Sequence, residues 1–252
     1  MARSPADISG TARLASNASQ SVTIPSPRAN KTVAIGIIRR LCADGVDFGG
    51  GLGHISNHGF VYRPTVGFTK EELDSHRDKS VPDLIGDACD LLFVGINPGL
   101  WTAATQTHFC HPSNRFYPAL RRAGLIDWDV DAEVGMDDEQ REDFVQKSMG
   151  ITNLVNRATV RASELDKDEL RKGAERLRGL VTDVTPRVVA VAGITAYRDA
   201  FGEKGAEPGR QPEPLGSAAL WVVPNPSGLN AHETVESLAD WYRAAAAAAG
   251  LP

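Results

Sequence analysis

Cysteine is scarce in this chain: Cys42, Cys89 and Cys110 are the only three in 252 residues. No two of them form a Cys-x-x-Cys pair, and three thiolates cannot hold a four-cysteine iron–sulfur cluster. So sparse and odd a count suits a reducing compartment, and a cytoplasmic location is expected. Long apolar runs are also missing. None approaches the roughly 18 residues that a membrane span requires, so no membrane partner is expected. Positive charge is not in excess either, and a net charge of −5 argues against binding nucleic acid by bulk electrostatics. No serine sits in a Gly-x-Ser-x-Gly elbow and no Walker-type phosphate loop is present, which removes two common enzyme classes. His54 and His58 stand at a spacing used by metal sites, but in a glycine-rich loop without a further ligand nearby. Neither a metal nor a cofactor is expected.

Two apolar runs that break abruptly into polar turns carry the most information. Leu91-Leu92-Phe93-Val94 reads as a strand buried on both faces, and it ends in Gly95-Ile96-Asn97-Pro98-Gly99. Proline and glycine force the chain to turn there, presenting the Asn97 amide beyond the carboxyl end of the strand. In open α/β sheets that is where ligands bind. Near the other end, Ala219-Leu220-Trp221-Val222-Val223 breaks into Asn225-Pro226-Ser227-Gly228-Leu229-Asn230. On physics alone, Asn97 either initiates a turn or serves a site. Leu229 either folds back onto the core or enters a base stack as a wedge.

These two turns resemble the paired motifs of mismatch-specific uracil-DNA glycosylases, relatives of thymine-DNA glycosylase within the uracil-DNA glycosylase superfamily. His111-Pro112-Ser113-Asn114-Arg115-Phe116 and Gly150-Ile151-Thr152-Asn153-Leu154-Val155 are similar to family segments in the same order, and the likeness runs from about Phe68 to the C-terminus. The resemblance implies a monofunctional glycosylase that flips uracil mispaired with guanine out of double-stranded DNA and excises it. Thymine or ethenocytosine are further candidate bases. It implies a three-layer α/β/α fold with a mainly parallel sheet, no cofactor, and a monomer. The alternative from another class is a non-catalytic nucleotide or nucleic-acid binding α/β domain.

Release of uracil requires the base to leave the stack, donors to meet charge building on it, and water to be held at the sugar carbon. The Asn97 carbonyl oxygen suits the last task and is the candidate catalytic group. The family likeness implies substrate contacts from Ile96, His108, Phe109, Asn114 and Asn153, with Phe109 stacking on the flipped base. Relatives carry lysine at the Asn153 position. Thr102, five residues after Asn97, falls where thymine-DNA glycosylase has a small alanine near the pyrimidine 5-position. Asn225, Ser227, Gly228, Leu229 and Asn230 form the candidate DNA-binding loop. Asn230-Ala231 replaces a Ser-Arg pair of a bacterial relative. The fast uracil-specific enzymes use aspartate in a Gly-Gln-Asp-Pro motif that is absent here, so turnover is expected to be slow.

Residues 1–66 hold seven Lys/Arg against three Asp/Glu, and the remainder 20 against 29. Duplex contact would therefore need a local basic patch, for which Arg115, Arg121, Arg122, Arg157 and Arg161 are candidates. Residues 1–67 read as a flexible N-terminal extension, rich at its start in Ser, Ala, Pro and Asn, and 68–252 as the glycosylase domain. Within 68–252, helices are expected near 69–79, 114–123, 137–148, 167–183, 195–201 and 232–249. Strands are expected at 91–96, 187–193 and 219–224, and loops at 101–113, 127–138 and 203–217.

Overall fold

The computed structural model describes residues 67–252 and, ahead of them, four short strand segments. The chain divides into two compact units, Met1–Thr65 and Val66–Pro252. In the first, β1 (Gly10–Arg13) pairs antiparallel with β2 (Ser21–Ile24), and β3 (Ile55–Ser56) with β4 (Gly59–Phe60). The expected flexible extension and the His54/His58 pair otherwise lie outside the described residues.

In the second unit the apolar runs become neighbouring strands of one sheet, ordered β6-β5-β7-β9-β8. β5 (Leu91–Gly95), β6 (Met149–Asn153), β7 (Val188–Ala192) and β9 (Ala219–Val223) are parallel, and β8 (Gly209–Arg210) adds an antiparallel edge. Alternate side chains go to opposite faces, as a strand requires. Leu91 and Phe93 join Met149, Ile151, Val188 and Ala190 on one face. That face is covered by α3 (Phe116–Ala123), α4 (Asp138–Gln146) and α7 (Val235–Ala249). Leu92 and Val94 join Val189, Val191, Leu220 and Val222 on the other, under α5 (Lys167–Val184) and α6 (Ile194–Phe201). This is the expected three-layer α/β/α arrangement.

Local chemistry starts the helices where the sequence places them. Thr69 with Glu72 forms a reciprocal capping box for α1 (Lys70–Asp74), as do Asp137 with Gln140 for α4, Asp166 with Glu169 for α5, and Thr234 with Ser237 for α7. Some shorter elements were not legible in this way, among them β8, which lies inside the expected loop 203–217. The expected loop 101–113 opens with a helix, α2 (Leu100–Thr105), whose Leu100 and Ala103 pack on Val81 and Ala158. Six residues are too few to display a helical period. β6 is diluted by Gly150, Thr152 and Asn153, and its strand character comes from pairing with β5. Its outer edge is closed by Leu84, which exchanges backbone hydrogen bonds of 2.9 and 2.8 Å with Ile151.

Two glycines of α5 give opposite expectations for the same substitution. A Cβ on Gly173 would press into the Leu154 backbone, whose carbonyl carbon would lie 2.8 Å away, whereas a Cβ on exposed Gly179 would meet nothing within 4 Å. Gly179→Ala is expected to stabilise by roughly 0.5–1 kcal/mol, as helix propensity dictates. Gly173→Ala is expected to destabilise by about 1–3 kcal/mol through overpacking. Chemical denaturation of the two variants checks the reversal.

Candidate active site

The carboxyl ends of β6, β5, β7 and β9 deliver Asn153, Asn97, Gly193 and Asn225 to one rim. The chain leaves β5 toward β6 on one side and leaves β7 toward β9 on the other, so β5 and β7 flank the switch point. Ile96 occupies that crevice, its Cδ1 placed 3.4 Å from where a Cβ on Gly193 would stand.

Asn97 is half-buried, and its amide is pinned by the nitrogen. Nδ2 donates to the Arg157 carbonyl at 2.9 Å and to Thr159 Oγ1 at 2.8 Å, with the Pro98 carbonyl at 3.2 Å. Carbonyls only accept, and Thr159 Oγ1 spends its proton on the Arg161 carbonyl at 2.8 Å. The nitrogen must therefore face this cluster. Oδ1 is left without a hydrogen bond among the described residues.

The loop that supplies these acceptors is itself tied down. Asn156 exchanges hydrogen bonds of 2.9 and 2.8 Å with the Val81 backbone. Arg157 is paired with Glu169 at 2.9 Å and Asp78 at 2.9 Å. The Thr159 N–H donates to the Pro98 carbonyl at 3.1 Å. Sequence reasoning missed Thr159, which is 1% exposed. A hydroxyl six residues after Asn153 is a signal only once the two strands are known to be adjacent.

His108 and Asn153 set each other's orientation. The Pro82 carbonyl lies 2.8 Å from His108 Nε2 and can only accept, so the proton sits on Nε2. Nδ1 then accepts from Asn153 Nδ2 at 3.0 Å, which turns Asn153 Oδ1 toward Gly95. Asn153 is 4% exposed, and Oδ1 makes no hydrogen bond to a described residue. Burial pushes the His108 imidazole below the usual histidine value, so the ring is neutral near pH 7, as this hydrogen-bond direction needs.

Phe109 adopts a left-handed backbone with φ 56°, a conformation uncommon for a bulky residue. Its ring stacks on Phe116 at 4.1 Å, and its edge approaches Gly95, where a Cβ would lie 3.2 Å from Cζ. Its N–H donates to no described group. Thr102 is buried in α2, its carbonyl taken by the Gln106 and Thr107 N–H groups, and it makes no hydrogen bond to Asn97, Phe109 or Asn153. Asn114, expected to touch the substrate, also has a local role. Its Oδ1 accepts the Phe116 N–H at 2.9 Å, shaping the entry to α3.

On the loop after β9, Asn225 Oδ1 accepts the Ser227 N–H at 3.0 Å, and Asn230 Nδ2 donates back to the Asn225 carbonyl at 3.0 Å. Leu229 at the tip is 90% exposed, so it does not fold onto the core. The expected basic patch does not form. Arg121 pairs with Asp129 at 2.9 Å, Arg122 with Glu236, and Arg157 with Asp78 and Glu169, while Arg115 turns inward onto backbone carbonyls. Acidic neighbours neutralise Arg121, Arg122 and Arg157, and of the five only Arg161 is exposed without an ion pair among the described residues. A separate concavity beside β8, lined by Tyr197, Phe201 and Arg210 among others, holds none of the candidate residues.

An open sheet with a polar crevice where β5 and β7 part defines an α/β protein that takes its ligand at the strand ends. Comparison then identifies the family. Residues 82–248 match the uracil DNA glycosylase superfamily, more than half of the chain, and the protein belongs to it. Membership carries DNA N-glycosylase activity and DNA as the partner. The chain is also similar to a solution NMR structure from Methanosarcina acetivorans, provisionally assigned as a uracil DNA glycosylase. That match has 18% identity and a TM-score of 0.47, covering 66% of this chain and 96% of the other.

The neutral, buried His108 has a consequence for stability. Between its lowered folded value and the usual 6.5, the unfolded chain binds a proton that the folded one refuses. Stability is therefore expected to fall as pH drops below about 6.5. Denaturation midpoints at several pH values check this, and the slope should shrink in His108→Gln.

Proposed function

We propose that this protein excises uracil opposite guanine from duplex DNA, leaving an abasic site without cutting the strand. The observation that carries the reading is the Asn97 amide, pinned by its nitrogen with Oδ1 free at the rim. That oxygen accepts a proton of water and aims the water at the sugar carbon. The C1′–N1 bond breaks with its electron pair going to uracil, water oxygen then bonds to C1′, and the proton the water sheds goes to the departed uracil anion. An amide is a weak base, so the bond must be largely broken before attack. The free Phe109 N–H and the backbone at Ile96 meet the charge on the departing base. Phe109, backed by Phe116, supplies the stacking platform.

The Asn153 orientation supports uracil within this reading. An acceptor oxygen faces the pocket, complementary to the imino N–H of uracil or thymine. Ethenocytosine offers no donor there, and we place it below uracil. Leu229 enters the duplex and fills the space of the flipped nucleotide. A binding domain without chemistry would need neither an oxygen held free on Asn97 nor an exposed leucine at the loop tip.

Asn97→Ala is expected to lower single-turnover release from a G·U duplex by roughly 10²-fold or more, with binding to abasic product retained. Release at the wild-type rate would sink the mechanism. Thr102 governs the second expectation, since a branched side chain crowds a 5-methyl group more than alanine would. Uracil should be preferred to thymine by roughly 10- to 200-fold, one methyl's worth of discrimination. Thr102→Ala should narrow that ratio by speeding thymine release. Parallel rates on G·U and G·T duplexes decide it, and an unchanged ratio removes Thr102 from the pocket.

A further inference from the structure

Arg115 has the composition of a phosphate ligand and the surroundings of a strut. Its Nη2 donates to the carbonyls of Ser227 at 2.6 Å and Asn230 at 2.7 Å, and its Nη1 to that of Glu233. Its backbone N–H donates to the Pro226 carbonyl at 3.0 Å. Nε is buried and unpartnered, so that edge of the guanidinium is closed to solvent. No carboxylate pairs with it among the described residues. A planar guanidinium is suited to this, because its fixed fork reaches several diverging carbonyls at once, which a lysine ammonium on a flexible stem does not.

The loop so held has a stiff base and a bare tip. The Ser227 N–H is taken by Asn225 Oδ1, the Leu229 N–H by Ser227 Oγ at 3.3 Å, and the Asn230 N–H by the Ser227 carbonyl at 2.9 Å. Gly228 lies so close to Ser113 that a Cβ would stand 2.5 Å from Oγ and 2.7 Å from the carbonyl oxygen. Only Leu229 projects, at 90% exposure. The stretch that supplies Ser113 and Arg115 also supplies His108 and Phe109 to the pocket, so loop and pocket share one mounting.

We propose that Arg115 is a positioning residue for Leu229: it braces loop 225–230 before DNA arrives, so that the leucine is presented already ordered. The inference rests on the reading above, in which Leu229 enters the duplex. A loop ordered in advance loses less freedom on binding, and only a duplex substrate, which must be unstacked, benefits from that.

The test compares wild type, Arg115→Ala, Arg115→Lys and Leu229→Ala in three measurements. In single-turnover release, Arg115→Ala should slow action on a G·U duplex by about tenfold or more, while single-stranded uracil DNA changes less than about threefold, following Leu229→Ala. Arg115→Lys should recover part of the duplex rate. The salt dependence of duplex binding should keep its slope, whereas loss of a phosphate ligand would lower that slope by about one. Without DNA, amide exchange at Leu229 and Asn230 should accelerate in Arg115→Ala. Equal losses on duplex and single strand, or a reduced salt slope, would overturn the brace. Gly228→Ala disturbs the seat on Ser113 with the guanidinium intact and should reproduce the selective duplex loss, which keeps the proposal testable if Arg115→Ala does not fold. If wild type releases no uracil, the proposed function fails; the exchange measurement still decides the brace, since unchanged exchange overturns it.

Discussion

The bare Cα of Gly95 is the constraint on which the site depends. At the end of β5 it is overlain by Asn153 Oδ1 and by the Phe109 ring edge, in space a Cβ would occupy. Because nothing projects there, a residue from β6 and one from the loop after α2 converge over the central strand. That convergence sets an acceptor oxygen and the edge of an aromatic ring side by side over the end of a buried strand. The positive φ of Phe109 belongs to the same closure, with the backbone held by surrounding packing in a conformation it would not choose alone. Behind it, Phe116 meets Phe93 and Tyr242 edge-on at 5.2 and 5.6 Å, which anchors the platform in the aromatic core.

Orientation, more than charge, organises this site. Two amides face it, and in each the nitrogen is occupied so that the oxygen is left over. Asn97 is set by the Arg157 carbonyl and by Thr159, whose hydroxyl proton is committed elsewhere. Asn153 is set by a histidine whose tautomer is dictated by the Pro82 carbonyl. The ion pairs of Arg157 act one step further out, fastening the loop that carries an acceptor for Asn97. In the function proposed above, a preorganised arrangement of this kind spares the reorganisation that water would impose at the moment of bond cleavage.

Electrostatics also explains how an acidic chain can belong to a DNA-acting superfamily. Most of the arginines that could have formed a cationic face are matched by carboxylates on neighbouring elements. The proposed contact is thus a local one, through a projecting leucine and the polar backbone of loop 225–230, and depends less on bulk attraction than on shape.

Three strands of the sheet, β5, β7 and β9, and the two Asn-Pro turns are written in the chain itself. The unbroken apolar runs read as buried strands, two of them break into Asn-Pro turns, and paired caps mark the starts of four helices, each a consequence of local chemistry. The sequence also placed Asn97, Phe109 and Leu229 at strand ends or loop tips. Which groups meet is settled by the fold. β6 is a strand because β5 lies beside it. Thr159 matters because its hydroxyl meets an amide 62 residues earlier. Asn114 Oδ1 accepts the Phe116 N–H at the entry to α3, and Arg115 points into a loop 112 to 118 residues away instead of toward solvent. A residue's hydrogen-bonding capacity is local and can be read from its type, whereas the partner that consumes that capacity is chosen by the fold.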